Sequence, residues 1–178
     1  NILWSFAPHD ISVILCLLNE MPEAVWAYGG NYLHKNIADV TVSNLSFKSG
    51  IKGHIFVSWL HPYKEQKLII VGDKRMAVFD DVTEKDKLLI FNHKIDWIDQ
   101  MPIPKKENAK SIEFKMEEPL LSECRHFLEC LKTRKTPKTD GKSALRVLKV
   151  LYACQMSLEK GGIMISLNPL NNSLLLSN

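Results

Sequence analysis

No apolar run in the 178 residues approaches the roughly 18–20 needed to cross a bilayer, so no membrane span is expected. The short signatures of nucleotide and hydrolytic chemistry are also missing. There is no GxGxxG, no GxxxxGKS/T, no HExxH and no GxSxG, so the chain has no dinucleotide or phosphate fingerprint of its own. Six histidines stand at 9, 34, 54, 61, 93 and 126 without metal-ligand spacing, and no metal site is expected. The four cysteines, Cys16, Cys124, Cys130 and Cys154, form no CxxC pair and fall in predicted helices, three of them on apolar stripes. They read as free thiols in a reducing, cytoplasmic compartment rather than as a disulfide framework. Eight glycines and eight prolines exclude a collagen-like or low-complexity chain. The first residue is Asn, and no charged stretch precedes an apolar one, so the expectation is a piece of a longer chain without a signal peptide. Asn44-Leu45-Ser46 and Asn171-Asn172-Ser173 match the glycosylation sequon, a chance match in such a compartment.

What is present is ordinary for one globular domain: 46% hydrophobic and 24% charged residues. The net charge of +3 is unevenly spread. Residues 1–50 carry two basic and four acidic side chains, residues 51–100 eight of each, and residues 101–150 twelve against seven. The excess concentrates in KTRKTPKTDGK, at Lys132, Arg134, Lys135, Lys138 and Lys142. No aromatic residue interleaves there to stack on bases, so the stretch reads as a solvated loop and no nucleic-acid partner is expected.

The periodicity predicts a helix opening at Pro8, with Asp10 at its positive end and Ile11, Ile14, Leu15 and Leu18 at helical spacing. Val13, Cys16 and Leu17 fill its other faces, which predicts burial on most sides. Asn19 and Pro22 mark its end. Strands are predicted over 23–32, 37–48, 52–60, 66–72, 75–80 and 86–93. In 37–48, Val40 and Val42, with Leu45 and Phe47 after an out-of-step Ser43-Asn44, are expected to face the core, and Asp39, Thr41 and Ser46 to face away. Residues 96–110 read as an irregular excursion, followed by a strand over 111–116. Two helices close the unit. One spans 119–133 with Leu120, Cys124, Phe127, Leu128 and Leu131 on one face. The other spans 143–160, capped by Ser143, with Ala144, Val147, Leu148, Leu151, Cys154 and Leu158 on one face, and stops at Gly161-Gly162. The tail 163–178 reads as a last strand or a loose end. Strands grouped between helices imply an α+β fold: an open, mainly antiparallel β-sheet covered on one face by helices. With Val57 and Trp59 on the other face, that face is sticky enough to dimerise.

Two places offer chemistry. His9 lies at the start of the first predicted helix, where an imidazole can line a cleft and act as general acid or base, or simply cap the helix. Trp59-Leu60-His61-Pro62-Tyr63-Lys64 combines an aromatic platform, an imidazole and a cation just after a strand. That mixture suits a polar ligand such as a sugar, and it equally suits a plain strand end and loop.

Three stretches, WSFAPHDISVIL, SWLHPYKEQKLIIVGDKRMAVFDD and FLECLKTRKTPKTDGKSALRVLKVLYACQMSLEKGG, resemble the C-terminal domain of the Gfo/Idh/MocA oxidoreductases. The PHDIS stretch is most similar to the nucleotide-sugar 3-dehydrogenases of that family. The resemblance implies a substrate-binding and oligomerisation domain over 1–162, with 163–178 as tail or last strand and the Rossmann domain outside this chain. It implies NAD or NADP as cofactor, held mainly by that absent domain, so the fragment alone is expected to be inactive. It implies a sugar or nucleotide-sugar substrate and a homo-oligomer formed through the sheet face. His9 matches the histidine of the family's D-x-x-x-H motif and would handle the proton of the substrate hydroxyl. Ser5 stands where the motif has its acid, and serine cannot carry that charge. Ser5, Trp59, His61 and Lys64 are the expected substrate-binding residues. The departure at Ser5 also motivates a rival reading, a non-catalytic binding or assembly module with the same fold.

Overall fold

The computed structural model describes residues 1–106 and 108–167. In chain order the elements are α1 (Ile2–Leu18), β1 (Pro22–Gly30), β2 (Val40–Phe47), β3 (Lys52–Ser58), β4 (Lys67–Val71) and β5 (Arg75–Asp80). Then come β6 (Leu88–Ile98), β7 (Met101–Lys106), β8 (Lys110–Ser111), α2 (Pro119–Thr133), α3 (Gly141–Glu159) and β9 (Ile165–Ser166). The fold is α+β with open antiparallel sheets, as the element order implies. The chain divides into two compact units. The first comprises Asn1–His61 and the chain from His126 onward, and the second Pro62–Arg125, with the division falling inside α2.

In the first unit the sheet order is β3-β2-β1-β9, and α1 and α3 pack on it and on each other. The core joins Ile2, Leu3, Ala7, Ile11 and Leu15 of α1 to Val25, Leu45, Phe47, Ile55 and Val57 of the sheet and Val150, Leu151 and Cys154 of α3. These helix positions recur at three- and four-residue spacing, so one stripe of each helix meets the sheet. The C-terminal tail contributes β9, where Ile165 pairs with Val25 and Ser166 with Ala24. Residues from 168 on lie outside the described residues.

Several expectations are corrected. Helix α1 begins at Ile2, capped by Asn1, and Pro8 sits inside it. Proline is favoured at a helix start because its missing N–H costs nothing there. Here it withholds only the bond to the carbonyl of Trp4, while packing of Leu3, Ala7 and Ile11 holds the turn on either side. The helix is not buried all round: Val13 is 43% and Leu17 57% exposed, and Cys16 is exposed too. Strand β2 keeps Leu45 and Phe47 on the core face as expected, but its first half is in the opposite phase, and Ser46 is buried rather than facing away. Thr41, Ser43, Leu45 and Phe47 alternate without a break toward the helices, whereas Val42 faces out. Among the described residues, the buried Thr41 and Ser43 hydroxyls have no hydrogen-bond partner. Val57 likewise faces the core. Helix α3 starts two residues early, because Asp140, not Ser143, is the cap; its carboxylate accepts from the Ser143 N–H at 2.8 Å. Its buried stripe is Val150, Leu151, Ala153, Cys154 and Ser157, and Leu148 is exposed. On α2 only Cys130 is buried; the expected apolar face, Leu120, Cys124, Phe127, Leu128 and Leu131, is exposed.

The second unit is a sheet of β4-β5-β6-β7, with β8 also paired to β6. The stretch read as irregular is largely a hairpin: β6 runs to Ile98, and β7 returns with Trp97 opposite Pro102. Asp99 and Gln100 both have positive φ, 50° and 63°, as a two-residue turn matching strand twist requires. Pro102 and Pro104 are accommodated because β7 is an edge, where missing N–H groups two residues apart fall on one side. Of the expected 111–116 strand only Ser111 pairs, with Lys110 before it, as β8.

Candidate functional site

Helix α1 turns Ser5 and His9 away from the core. Ile2, Ala7 and Ile11 fix the buried side, and at 100° per residue His9 lies opposite it, one turn beyond Ser5. Both side chains are exposed. Pro8 does not break the turn between them, so the two share one helix face. The Ser5 hydroxyl donates to the Asn1 carbonyl at 3.3 Å. Beside His9, partial desolvation holds the Asp10 carboxyl above its ordinary range, with the neighbouring imidazole pulling the other way. The helix start is fastened to α3: Gln155 Oε1 accepts from Asn1 Nδ2 at 2.8 Å and from Trp4 Nε1 at 3.0 Å.

A second fastening centres on Ala38 and Asp39. The Ala38 carbonyl accepts from the Ile2 N–H at 3.0 Å, tying the first turn of α1 to the end of the 31–37 loop. The Asp39 carboxylate is wholly buried. Its Oδ2 accepts from the N–H groups of Tyr32 and Leu33, both at 2.7 Å, and its Oδ1 from Trp59 Nε1 at 2.9 Å. The Trp59 N–H in turn donates to the Asp39 carbonyl at 3.3 Å. The Leu33 N–H does most to hold the Asp39 carboxyl below its usual range. Burial opposes this, and the Trp59 indole, the Tyr32 N–H and His34 reinforce it. Because the folded-state carboxyl titrates lower than the unfolded one, its contribution to stability is present above the ordinary value of 3.8 and fades as pH falls below it.

Trp59 is therefore built into the first unit with 40% of its surface exposed. His61 follows two residues later and is exposed, whereas Lys64 belongs to the second unit, also exposed. The structure thus joins Ser5 with His9 on one helix face, and Trp59 with the loop that anchors that helix. Asp39 is the residue the sequence reading misses. Asp-Val-Thr-Val reads as ordinary alternation with aspartate outside, and the bonds that bury it come from residues 6 to 20 positions away. Among the described residues no group of three or more His, Cys, Asp or Glu could hold a metal, and no helix is long and apolar enough to cross a membrane.

A family model settles the comparison of the amino-terminal region. Residues 1–78 match the GFO/IDH/MocA C-terminal domain. The resemblance to that domain holds over those residues. Solved structures extend a likeness of fold over most of the chain. UDP-N-acetylglucosamine 3-dehydrogenase GnnA from Acidithiobacillus ferrooxidans matches with a TM-score of 0.76 at 18% identity, over 90% of this chain and 49% of that one. The WlbA dehydrogenase from Bordetella pertussis, in complex with NADH and UDP-GlcNAcA, matches at 0.64 and 22%, over 91% and 43%. An aldose-aldose oxidoreductase from Caulobacter crescentus matches at 0.67 and 18%, over 90% and 45%. At these identities the likeness is one of fold. The chain spans about half the length of the structures it matches. No curated protein matches it by sequence.

Proposed function

We propose that this chain is the substrate-binding and oligomerisation domain of a cytoplasmic NAD(P)-dependent oxidoreductase that acts on a secondary hydroxyl of a sugar or nucleotide sugar. The observation that carries the reading is His9, placed on the exposed face of α1 within the region that matches the GFO/IDH/MocA domain. The described residues do not fit a dinucleotide. Their sheets are antiparallel and offer no glycine-rich strand-to-helix turn to cradle a pyrophosphate. NAD or NADP is therefore assigned mainly to a further domain, outside residues 1–162, and the isolated fragment is inactive.

Within this chain the chemistry is proton handling and binding. The His9 imidazole takes the proton from the substrate hydroxyl as it is oxidised, and Ser5 offers a hydroxyl one turn away. Trp59 supplies a rigid aromatic face for a sugar ring. His61 and Lys64 add polar contacts, the lysine to a diphosphate or carboxylate. The sheet face opposite the helices serves assembly. Tyr28, Val42 and Phe56 lie side by side across three strands there, with Tyr28 56% and Phe56 55% exposed.

One observation favours the rival, a non-catalytic binding or assembly module: the Ser5 hydroxyl, at the motif's acid position, donates to its own helix's first carbonyl. Incubating the full-length protein with NAD or NADP and a panel of nucleotide sugars separates the two. Growth of the reduced-nicotinamide absorbance supports the enzyme; binding without turnover across the panel supports the module.

A further inference from the structure

We propose that Asp39 is a positioning residue, whose buried carboxylate clamps the Trp59 indole and the 31–37 loop into a single rigid ligand-facing surface beside α1. The ligand-facing part rests on the function proposed above; the clamp rests on geometry alone.

A buried carboxylate is costly unless its oxygens are fully bonded. Asp39 accepts three N–H groups, and among the described residues no lysine or arginine pairs with it. Bonds of 2.7–2.9 Å to a carboxylate are short and strong. They hold segments whose side chains remain outside: Tyr32 is 74% exposed, and Leu33, His34 and Lys35 are exposed with it. A device for stability alone would bury such groups. This one pins their backbone and leaves their tips in solvent, which is how a recognition surface is preorganised. The loop is closed from the other side as well. The Tyr32 ring lies over Gly30, where a Cβ would come within 2.5 Å of it, and Asn31 Nδ2 donates to the Lys35 carbonyl at 2.9 Å. Residues 38 and 39 thus tie together the helix bearing His9, the loop bearing Tyr32 and His34, and the strand end bearing Trp59.

Asp39→Asn keeps the size of the side chain but replaces one acceptor with a donor, which cannot serve both the indole and the two backbone N–H groups. The test uses the full-length protein, with Trp59→Phe and the double variant beside it. Calorimetric titration with UDP-N-acetylglucosamine reads binding without any need for turnover. Hydrogen exchange reads the Trp59 indole N–H and the amides of Tyr32 and Leu33. The clamp predicts faster exchange at all three sites in Asp39→Asn and binding weakened by about tenfold or more. In the Trp59→Phe background, Asp39→Asn weakens binding less than it does alone, because the two act through one surface. Unchanged exchange overturns the clamp. Faster exchange with unchanged binding, or effects on binding that simply add, overturns its positioning role. A wild-type protein that binds no UDP-N-acetylglucosamine counts against the proposed function, and the exchange rates then decide the clamp by themselves.

Discussion

The two faces of the first sheet follow opposite rules. The face under the helices mixes Val25, Leu45, Phe47, Ile55 and Val57 with Thr41, Ser43 and the neighbouring Asp39, all buried. The open face carries Tyr28, Val42 and Phe56 in solvent. Polar side chains lie inside beside the apolar core, and the aromatic rings of Tyr28 and Phe56 lie outside. On the inner face Asp39 has three N–H donors and Ser157 of α3 bridges two backbone groups, whereas the Thr41 and Ser43 hydroxyls are buried with no hydrogen-bond partner among the described residues. On the outer face no element covers the row among the described residues of the first unit, which leaves it for another surface.

The largest effect comes from breaking the inner face. Phe47→Ala should cost about 3–5 kcal/mol, the usual toll for an aromatic cavity in a core, read as a lower denaturation midpoint. Ser157→Ala should cost less, about 1–3 kcal/mol. It strands the Ala27 N–H, bonded at 2.9 Å, and the Ile163 carbonyl, bonded at 2.6 Å, without partners. A loss as large as that of Phe47→Ala would mean that β9 detaches with it. Thiol labelling sharpens the contrast without mutation. Burial pushes the Cys154 thiol up to about 11, and Cys130 is buried, so a maleimide should modify Cys16 and Cys124 first and the other two only on unfolding. The smallest effect on stability belongs to the outer face. Phe56→Lys should change folding by no more than about 0.5 kcal/mol, yet reduce the assembly size of the full-length protein in sedimentation. A large loss of stability with assembly unchanged would show that the open face is not an interface.

Much of this architecture is legible in the sequence, because helix-period stripes and strand runs bounded by Lys48-Ser49-Gly50 and Gly72-Asp73-Lys74 are local signals. The helix over 119–133 and the strands around 22–30, 52–58, 67–71 and 75–80 fall where those signals put them. The misreadings share a cause: tertiary partners override a local rule. Pro8 lies inside a helix because its neighbours pack on both sides. Pro102 and Pro104 sit in a strand because that strand is an edge. The first half of β2 reverses phase because the strand alternates evenly back from the buried Leu45 and Phe47, which carries Thr41 and Ser43 inside; the out-of-step Ser43-Asn44 read from the sequence does not occur. The site divides in the same way. His9 is readable as the start of a helix, Ser5 enters only through the family resemblance because the expected helix opens at Pro8, and Asp39 is visible only once Tyr32, Leu33 and Trp59 are folded around it.

The central claim is that the solvent side of α1 carries the proton-handling group of a sugar-oxidising enzyme. Its most direct test is the turnover of His9→Ala in the full-length protein, with NAD or NADP and whichever nucleotide sugar the wild type oxidises. The account predicts a fall in kcat of roughly 10²–10⁴ with the fold intact, because His9 is exposed and packs into no core. A variant that turns over at the wild-type rate would contradict it.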